Sequence, residues 1–253
     1  RQSGRLLIYK VLGYLLLLLS VVHLTGAAVS VYFNENTFWT FLGTAATCVI
    51  VGYSLTLMGR DAVAMKQRQL FLLTTLSWLV ICVFSALPFW LIIPNSSFTN
   101  AWFETVSGIT TTGATVYSGL DNLPKGILYW RAILNWIGGI GIIVMAIAIL
   151  PALKIGGMKL FKTENSDISE KILPRSSSLS MYIGVVYLIL SASCMLLFYI
   201  GGMNGFDAIT HGMTTVATGG FANYDASFGH FNDKPHLLWI AGVFMLLSAL
   251  PLV

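Results

Sequence analysis

Six long apolar runs are the feature that most constrains how this chain can fold. Each run contains at most one Asp, Glu, Lys or Arg, and together they cover residues 11–31, 38–58, 69–93, 132–153, 176–206 and 235–253. A helix needs roughly 20 mostly apolar residues to cross a bilayer, and each run is long enough. Charged residues make up only 9% of the chain, whereas ordinary soluble domains contain about 25%. We therefore predict an all-α membrane protein with six spans.

Basic residues are unevenly divided between the two sides that alternating spans create. One side holds most of the 14 Lys and Arg residues, namely Arg1, Arg5, Lys10, Arg60, Lys66, Arg68, Lys154, Lys159, Lys162, Lys171 and Arg175. Because cytoplasmic loops are enriched in Lys and Arg, this side and the N-terminus are predicted to be cytoplasmic. A cleaved signal peptide over residues 1–30 is a less favoured alternative, because the apolar run exceeds the roughly 7–15 residues of such peptides.

A loop rich in threonine and glycine occurs twice, each time before an apolar run. The first copy lies in NAWFETVSGITTTGAT and the second in DAITHGMTTVATGGFA. A shift of 107 residues superposes Thr111 on Thr218 and Gly113 on Gly220. The two copies predict two repeats, each built from a span, a short segment, a Thr/Gly loop and a second span.

The short segments before the loops, residues 100–110 and 207–217, cannot cross a bilayer. Asn100 and Asp207 at their first positions predict helix N-caps. Because irregular backbone at membrane depth must be buried in protein or line a water-filled cavity, we predict two re-entrant half-helices. Each would present loop carbonyls and a negative helix end to a dehydrated monovalent cation. A simple turn is the alternative, and the second matched copy argues against it.

These residues resemble TrkH-type potassium transporters of the Trk/Ktr/HKT superfamily. The resemblance rests on TTTGAT at 110–115, the following SGLDNLP, the runs NWIGGIGIIVMAIAILP and IGGMKLF, and the second loop TVATGGF. It implies four repeats of span, re-entrant half-helix with filter loop, and span around one pore, as in K+ channels. Two of the four are expected in this chain, after two extra N-terminal helices.

The resemblance also implies a division of the chain. It gives an N-terminal two-helix unit at 1–68, a first pore repeat at 69–163 with its filter at 110–115, a cytoplasmic linker at 164–177, and a second pore repeat at 178–253 with its filter at 217–221. The remaining pore repeats would be absent from this chain. The chain begins with Arg1 and ends within an apolar run, so we expect it to be part of a longer protein.

By this resemblance, the transported ion is K+, no cofactor is covalently bound, and the membrane is the bacterial inner membrane. The implied filter residues are Thr111, Thr112, Gly113, Thr218, Gly219 and Gly220, supported by Thr110, Ala114, Glu104, Ala217 and Phe221. In the family, glycine at the positions of Gly113 and Gly220 accompanies potassium preference. The family further implies a homodimer above a cytosolic, nucleotide-binding TrkA-type regulatory subunit. A sodium-coupled K+ symporter and a nonconducting membrane scaffold or sensor remain alternatives.

Other residues allow more than one interpretation. Glu104 either attracts cations or holds the loop, and the second is favoured because a carboxylate near the membrane usually has a specific partner. Gly138, Gly139 and Gly141 serve helix packing, which is favoured, or a gating hinge. Gly201 and Gly202 are predicted to cap the fifth span, and the tryptophans near span ends are predicted interface anchors, namely Trp39, Trp90, Trp102, Trp130 and Trp239.

The sequence gives no indication of enzymatic chemistry. It contains no Walker sequence, no nucleophile elbow and no intramembrane carboxylate pair, so we do not expect an enzyme. The three cysteines and four histidines have no metal-ligand spacing. The formal net charge of +4 is interpreted through the placement of the basic residues, and no nucleic-acid partner is expected.

Overall fold

The computed structural model describes residues 2–59, 67–158 and 172–250, which form helices joined by loops, with no β-strand among them. The α-helices are α1 (Gln2–Tyr32), α2 (Thr37–Met58), α3 (Gln67–Ile92), α4 (Phe98–Ile109), α5 (Lys125–Met158), α6 (Ile172–Ile200), α7 (Gly205–Val216) and α8 (Pro235–Ala249). The predicted all-α fold is confirmed. Residue 1, residues 60–66, residues 159–171 and residues 251–253 lie outside the described residues. They include residues 164–171 of the predicted linker and the last three residues of the predicted second pore repeat.

Four of the described helices contain segments long and apolar enough to cross a membrane: Leu6–Tyr32, Thr37–Met58, Phe71–Ile92 and Met181–Ile200. They coincide with the first, second, third and fifth predicted spans. The fourth predicted span lies within α5, and the sixth overlaps the shorter apolar helix α8. The chain is thus a multi-pass membrane protein.

The chain divides into two compact units, each of which is described by itself. The first contains Arg1–Ser107 and Ala114–Arg131, and the second contains Gly108–Gly113 and Ala132–Val253. The second unit therefore includes the core of both Thr/Gly loops.

In the first unit, α1 and α2 pack so closely that only glycine fits at two facing positions. A Cβ atom on Gly13 would lie 2.6 Å from the carbonyl oxygen of Gly52, and one on Gly52 would lie 2.9 Å from that of Gly13. In lipid, helices associate largely through such van der Waals packing of small residues.

Trp130 in the first unit is fully buried and is not an interface anchor. Its indole N–H donates to the backbone oxygen of Ser85 at 2.9 Å, and its ring contacts that of Phe41. The prediction for Trp130 is wrong because α5 begins at Lys125, before the predicted span, and carries this ring into the core. Trp39 and Trp239, by contrast, are 70% and 78% exposed, as a membrane-facing anchor requires.

In the second unit, α6 ends at a glycine cap. Gly202 adopts a left-handed φ of +99°. Its N–H donates to the oxygen of Tyr199 at 3.1 Å, and Met203 N–H donates to that of Phe198 at 3.0 Å, which together form a Schellman motif. The predicted cap is confirmed. The apolar run continues to residue 206, but the helix ends at Ile200, directly before the two predicted cap glycines.

Candidate functional site

Two short helices lead into the Thr/Gly loops. Helices α4 and α7 contain 12 residues each, or about 18 Å at 1.5 Å per residue. The predicted N-caps are wrong by three residues. Ser97 Oγ accepts from Asn100 N–H at 3.1 Å, and Asn204 Oδ1 accepts from Asp207 N–H at 2.8 Å. A cap side chain binds the N–H of the third helical residue, so Asn100 and Asp207 occupy that third position and their helices begin earlier.

The two loops have matching backbone conformations. Thr111 and Thr218 have φ values of +55° and +54°, and Gly113 and Gly220 have values of +80° and +81°. The residue between each pair is not left-handed. The left-handed region is unusual for a β-branched residue and costs about 1–3 kcal/mol. Its occurrence at both threonines therefore indicates that each loop is held in this conformation by its surroundings.

Matching hydrogen bonds precede the two left-handed threonines. Thr111 N–H donates to the oxygen of Gly108, and Thr218 N–H donates to that of Thr215, both at 3.0 Å. Both acceptors lie in the last turns of the short helices. The repeat seen in the sequence thus extends to the hydrogen bonds with which each helix ends.

The second unit brings the two loops against each other at their glycines. A Cβ atom on Gly113 would collide with the carbonyl oxygen of Gly219 and lie 3.8 Å from the Cα of Gly220. A Cβ atom on Gly220 would meet nothing within 4 Å. The two loops are therefore in direct backbone contact at Gly113, whereas no described atom lies against the Cβ position of Gly220.

The predicted site residues differ in exposure. Thr110, Thr112, Ala114, Thr218 and Gly220 are exposed, Thr111 and Gly113 are half-buried, and Ala217, Gly219 and Phe221 are buried. The hydroxyls of Thr110 and Thr112 share a hydrogen bond at 2.7 Å. Exposed and buried positions thus alternate from Ala217 to Phe221.

Glu104, in the first unit, is a fully buried carboxylate that accepts hydrogen bonds from Arg131, Thr115 and Val116. Arg131 Nε donates to Oε1 at 3.0 Å, the Thr115 hydroxyl donates to Oε1 at 2.7 Å, and Val116 N–H donates to Oε2 at 3.0 Å. Arg131 is itself 1% exposed. This ion pair thus binds the chain immediately after the first Thr/Gly loop.

His211 occupies the position of Glu104 in the second repeat and binds the equivalent backbone group. Asn223 N–H donates to His211 Nε2 at 3.4 Å, and Asn223 is 107 residues after Val116. Because Nε2 accepts, Nδ1 carries the proton and donates to the backbone oxygen of Asp207 at 2.9 Å. The same backbone position is bound by a charged side chain in one repeat and by an imidazole in the other.

Asp207 reinforces the second loop from beside His211. It is 2% exposed. Its Oδ1 accepts from Asn223 Nδ2 at 2.8 Å, and its Oδ2 accepts from the Tyr224 hydroxyl and from Asn204 Nδ2, both at 2.6 Å. The buried carboxylate thus joins the start of α7 to the chain beyond the second loop.

Tyr117 in the first repeat matches Tyr224 in position but not in partner. Its hydroxyl shares a hydrogen bond with Ser96 Oγ at 2.6 Å, and its ring contacts that of Phe89. A tyrosine hydroxyl is ordinarily protonated at neutral pH, and burial raises the pKa of Tyr117 further above its usual value. Both tyrosines tie the chain after a loop to the start of the short helix before it.

The glycines of α5 differ in their surroundings. A Cβ atom on Gly138 would collide with the carbonyl oxygen of Ile109, and one on Gly139 would lie 2.6 Å from the Tyr187 hydroxyl. A Cβ atom on Gly141 would meet nothing within 4 Å. Gly138 and Gly139 therefore permit close packing in the second unit, whereas none of the described residues lies against Gly141.

Comparison with known proteins identifies the family of this chain. The family model TrkH, described as a cation transport protein, matches residues 38–251. The chain belongs to the TrkH family. It is similar to the Trk system potassium uptake protein TrkI of Halomonas elongata, with 46% identity over 97% of this chain and 50% of that protein. It is also similar to TrkH of Vibrio parahaemolyticus, with 41% identity over 96% of this chain and 50% of that protein.

A solved member of the TrkH family has the same fold. The crystal structure of the potassium transporter TrkH from Vibrio parahaemolyticus matches with a TM-score of 0.83 and 38% identity, over 96% of this chain and 49% of that chain. The chain thus spans about half the length of the TrkH-family relatives it matches. The resemblance found in the sequence is confirmed.

Three polar residues of this TrkH-family chain that contact the loops or their flanks were not predicted as site residues. Arg131 was given no site role, although an arginine beside an apolar run needs a buried partner such as Glu104. Asn135, the single amide in its apolar run, was given no role. Asp207 was taken as a cap. In each case the sequence shows a polar residue next to or within an apolar segment. This pattern indicates that the side chain has a hydrogen-bond partner but does not identify that partner.

Proposed function

We propose that this chain forms half of a potassium uptake pore. The observation that carries the proposal is the matched left-handed pattern at Thr111 and Gly113 and at Thr218 and Gly220. In ion channels of known mechanism, backbone carbonyls replace the hydration shell of a dehydrated cation. Two loops with the same backbone conformation, in contact at Gly113 and Gly219, support such a lining.

The backbone pattern suits a cation. The left-handed residues Thr111, Gly113, Thr218 and Gly220 permit a backbone in which successive carbonyl oxygens face one side, which is the arrangement that a carbonyl-lined filter needs. The loops follow the C-terminal ends of α4 and α7, where the helix dipole is negative. Anions bind instead at helix N-termini. We assign Thr111, Thr112, Gly113, Thr218, Gly219 and Gly220 to the filter on this basis.

Glu104 is proposed to hold the first loop and not to attract ions. Its carboxylate is fully buried and bonded to Arg131, Thr115 and Val116, so its charge is neutralised locally. His211 would do the same for the second loop through Asn223. Packing is the role proposed for Gly138 and Gly139.

The complete transporter is proposed to contain more than this chain. The relatives are about twice as long, which supports two further pore repeats beside those at 69–163 and 178–253. By the family resemblance we propose a homodimer in a bacterial inner membrane, with a cytoplasmic N-terminus, K+ as the transported ion and a cytosolic TrkA-type regulatory subunit. The predicted N-terminal unit at 1–68 and linker at 164–177 belong to the same proposal.

The proposal is tested by Gly113→Ser and Gly220→Ser in the complete protein, with K+ and Na+ uptake measured in a host deficient in potassium uptake. Both variants should lower the K+/Na+ ratio, because serine is strained at φ values near +80°. Gly113→Ser should act more strongly, since its Cβ also collides with Gly219. Gly43→Ser, on α2 outside the predicted filter and with nothing within 4 Å of its Cβ position, is the matched control and should leave the ratio unchanged.

Unchanged selectivity in both filter variants would rule the proposal out. Two further measurements separate the rival functions. A strict sodium-coupled symporter would stop taking up labelled potassium when sodium is withdrawn. A nonconducting scaffold or sensor would give no flux in liposomes with a potassium gradient, with or without a cytosolic partner.

A further inference from the structure

Asn135 on α5 is a buried amide that contacts segments of both repeats within the second unit. Its side chain is 0% exposed. Nδ2 donates to the carbonyl oxygen of Gly108 at 2.8 Å, in the last turn of α4. Oδ1 accepts from Phe221 N–H at 3.3 Å, directly after the second loop. One partner is an acceptor and the other a donor, so these contacts fix which way the amide points.

The two hydrogen bonds differ in strength but act on one rigid group. The bond to Gly108 lies within the usual range of roughly 2.7–3.2 Å, and the bond to Phe221 is slightly longer. The planar amide fixes the separation of its oxygen and nitrogen. It therefore fixes the distance between the end of the first short helix and the start of the chain that leaves the second loop.

Gly219 is a glycine because of this amide. A Cβ atom there would collide with Asn135 Oδ1 and lie 2.5 Å from its Cγ and 3.0 Å from its Nδ2. Unlike Gly113 and Gly220, Gly219 does not have a left-handed φ. Its φ therefore does not by itself require glycine, and the space occupied by Asn135 is what excludes a side chain.

The carbonyl of Gly219 also faces the first loop. It is the atom with which a Cβ on Gly113 would collide. The amide of Asn135 thus contacts Gly219 from one side, and Gly113 contacts it from the other. Two consecutive contacts, Asn135 with Gly219 and Gly219 with Gly113, run from α5 through the second loop to the first loop, so a shift of the amide changes the spacing between the two loops.

We propose that Asn135 is a positioning residue that sets the separation of the two filter strands and thereby the selectivity among monovalent cations. The inference rests on the proposed conduction function. Asn135 does not line the filter, because it is buried and acts through Gly219, Phe221 and Gly108. Carbonyl spacing determines how well the filter replaces the hydration shell of a given ion, so this spacing affects the ratio of ions taken up.

The first test uses the complete protein in liposomes, with K+, Rb+ and Na+ uptake measured for Asn135→Leu. Leucine has nearly the same shape but forms neither hydrogen bond, so the spacing of the two loops is no longer held. We expect the K+/Na+ ratio to fall about tenfold, which corresponds to a change of about 1.4 kcal/mol in relative binding free energy. Ser191→Ala is the matched control. It removes a buried acceptor of the neighbouring Trp136 indole at 2.9 Å but no filter contact, and should leave the ratio unchanged.

A wild-type ratio in Asn135→Leu, or an equal fall in Ser191→Ala, would overturn the inference. If Asn135→Leu does not yield folded protein, Asn135→Asp decides. It keeps the volume and an acceptor for Phe221 and loses the donor to Gly108, so a wild-type ratio in that variant would equally overturn the inference.

The second test is a double-mutant cycle on thermal stability, which needs no ion flux. Gly219→Ala should lower the melting temperature sharply, and Asn135→Ala combined with Gly219→Ala should recover part of that loss, because the shorter side chain leaves room for the new Cβ. Asn135→Ala alone completes the cycle, and a loss in the double variant equal to the sum of the two single losses would show that the two residues are not coupled. If the wild-type protein gave no ion flux, the proposed function would be refuted. The stability cycle would still show whether Asn135 and Gly219 are coupled.

Discussion

Removing the charge of Arg131 should release the chain that Glu104 holds after the first loop. In Arg131→Met, the fully buried carboxylate keeps only the Thr115 hydroxyl and the Val116 N–H as donors. Breaking a buried ion pair by deleting one partner costs about 3–5 kcal/mol. Because two donors remain, we expect about 3 kcal/mol, or roughly 150-fold in the equilibrium for local opening.

The assay is hydrogen exchange at Val116, whose N–H lies 3.0 Å from Glu104 Oε2. In the purified complete protein, exchange of the peptide containing Val116 should be about 100-fold faster in Arg131→Met, in line with the opening free energy. Arg131→Lys, which keeps the charge but not the guanidinium geometry, should change it less.

The double variant Glu104→Gln with Arg131→Met separates the effect of charge from that of packing. It leaves no buried charge unpaired, and the glutamine oxygen still accepts from Val116 N–H. We therefore expect slower exchange than in Arg131→Met, with a coupling energy of about 1–3 kcal/mol between the two sites. Unchanged exchange in Arg131→Met, or equally fast exchange in the double variant, would refute the holding role of the ion pair.

Two further predictions concern helix packing and the second loop. Gly52→Val should lower the melting temperature, because its Cβ would lie 2.9 Å from the Gly13 oxygen and overpacking costs about 1–3 kcal/mol; Gly43→Val on the same helix, with nothing within 4 Å, should leave it nearly unchanged. His211→Leu should speed hydrogen exchange at Asn223, because its N–H loses an acceptor at 3.4 Å at a cost of about 1 kcal/mol, and His211→Gln should recover part of the protection.

The helical membrane fold could be predicted from the sequence because hydropathy and repetition are local properties of the chain. The apolar runs predicted all four spanning helices of the described residues. The shift of 107 residues paired the two loops from the sequence alone. Ends of helices were less certain. Ser97 and Asn204 cap the short helices where Asn100 and Asp207 were expected, since several polar residues near a helix start compete as caps.

The residues that support the loops were decided by the tertiary structure. Glu104 and Arg131 are 27 residues apart in the chain, and Asn135 and Phe221 are 86 apart. Composition indicates that such buried polar groups need partners, but the choice of partner depends on which helices pack together. The sequence by itself determined that this chain crosses a membrane and repeats a Thr/Gly loop. Only the packing of α5 against both loops decided why Gly219 has no side chain, because that requirement comes from an amide distant in sequence and adjacent in space.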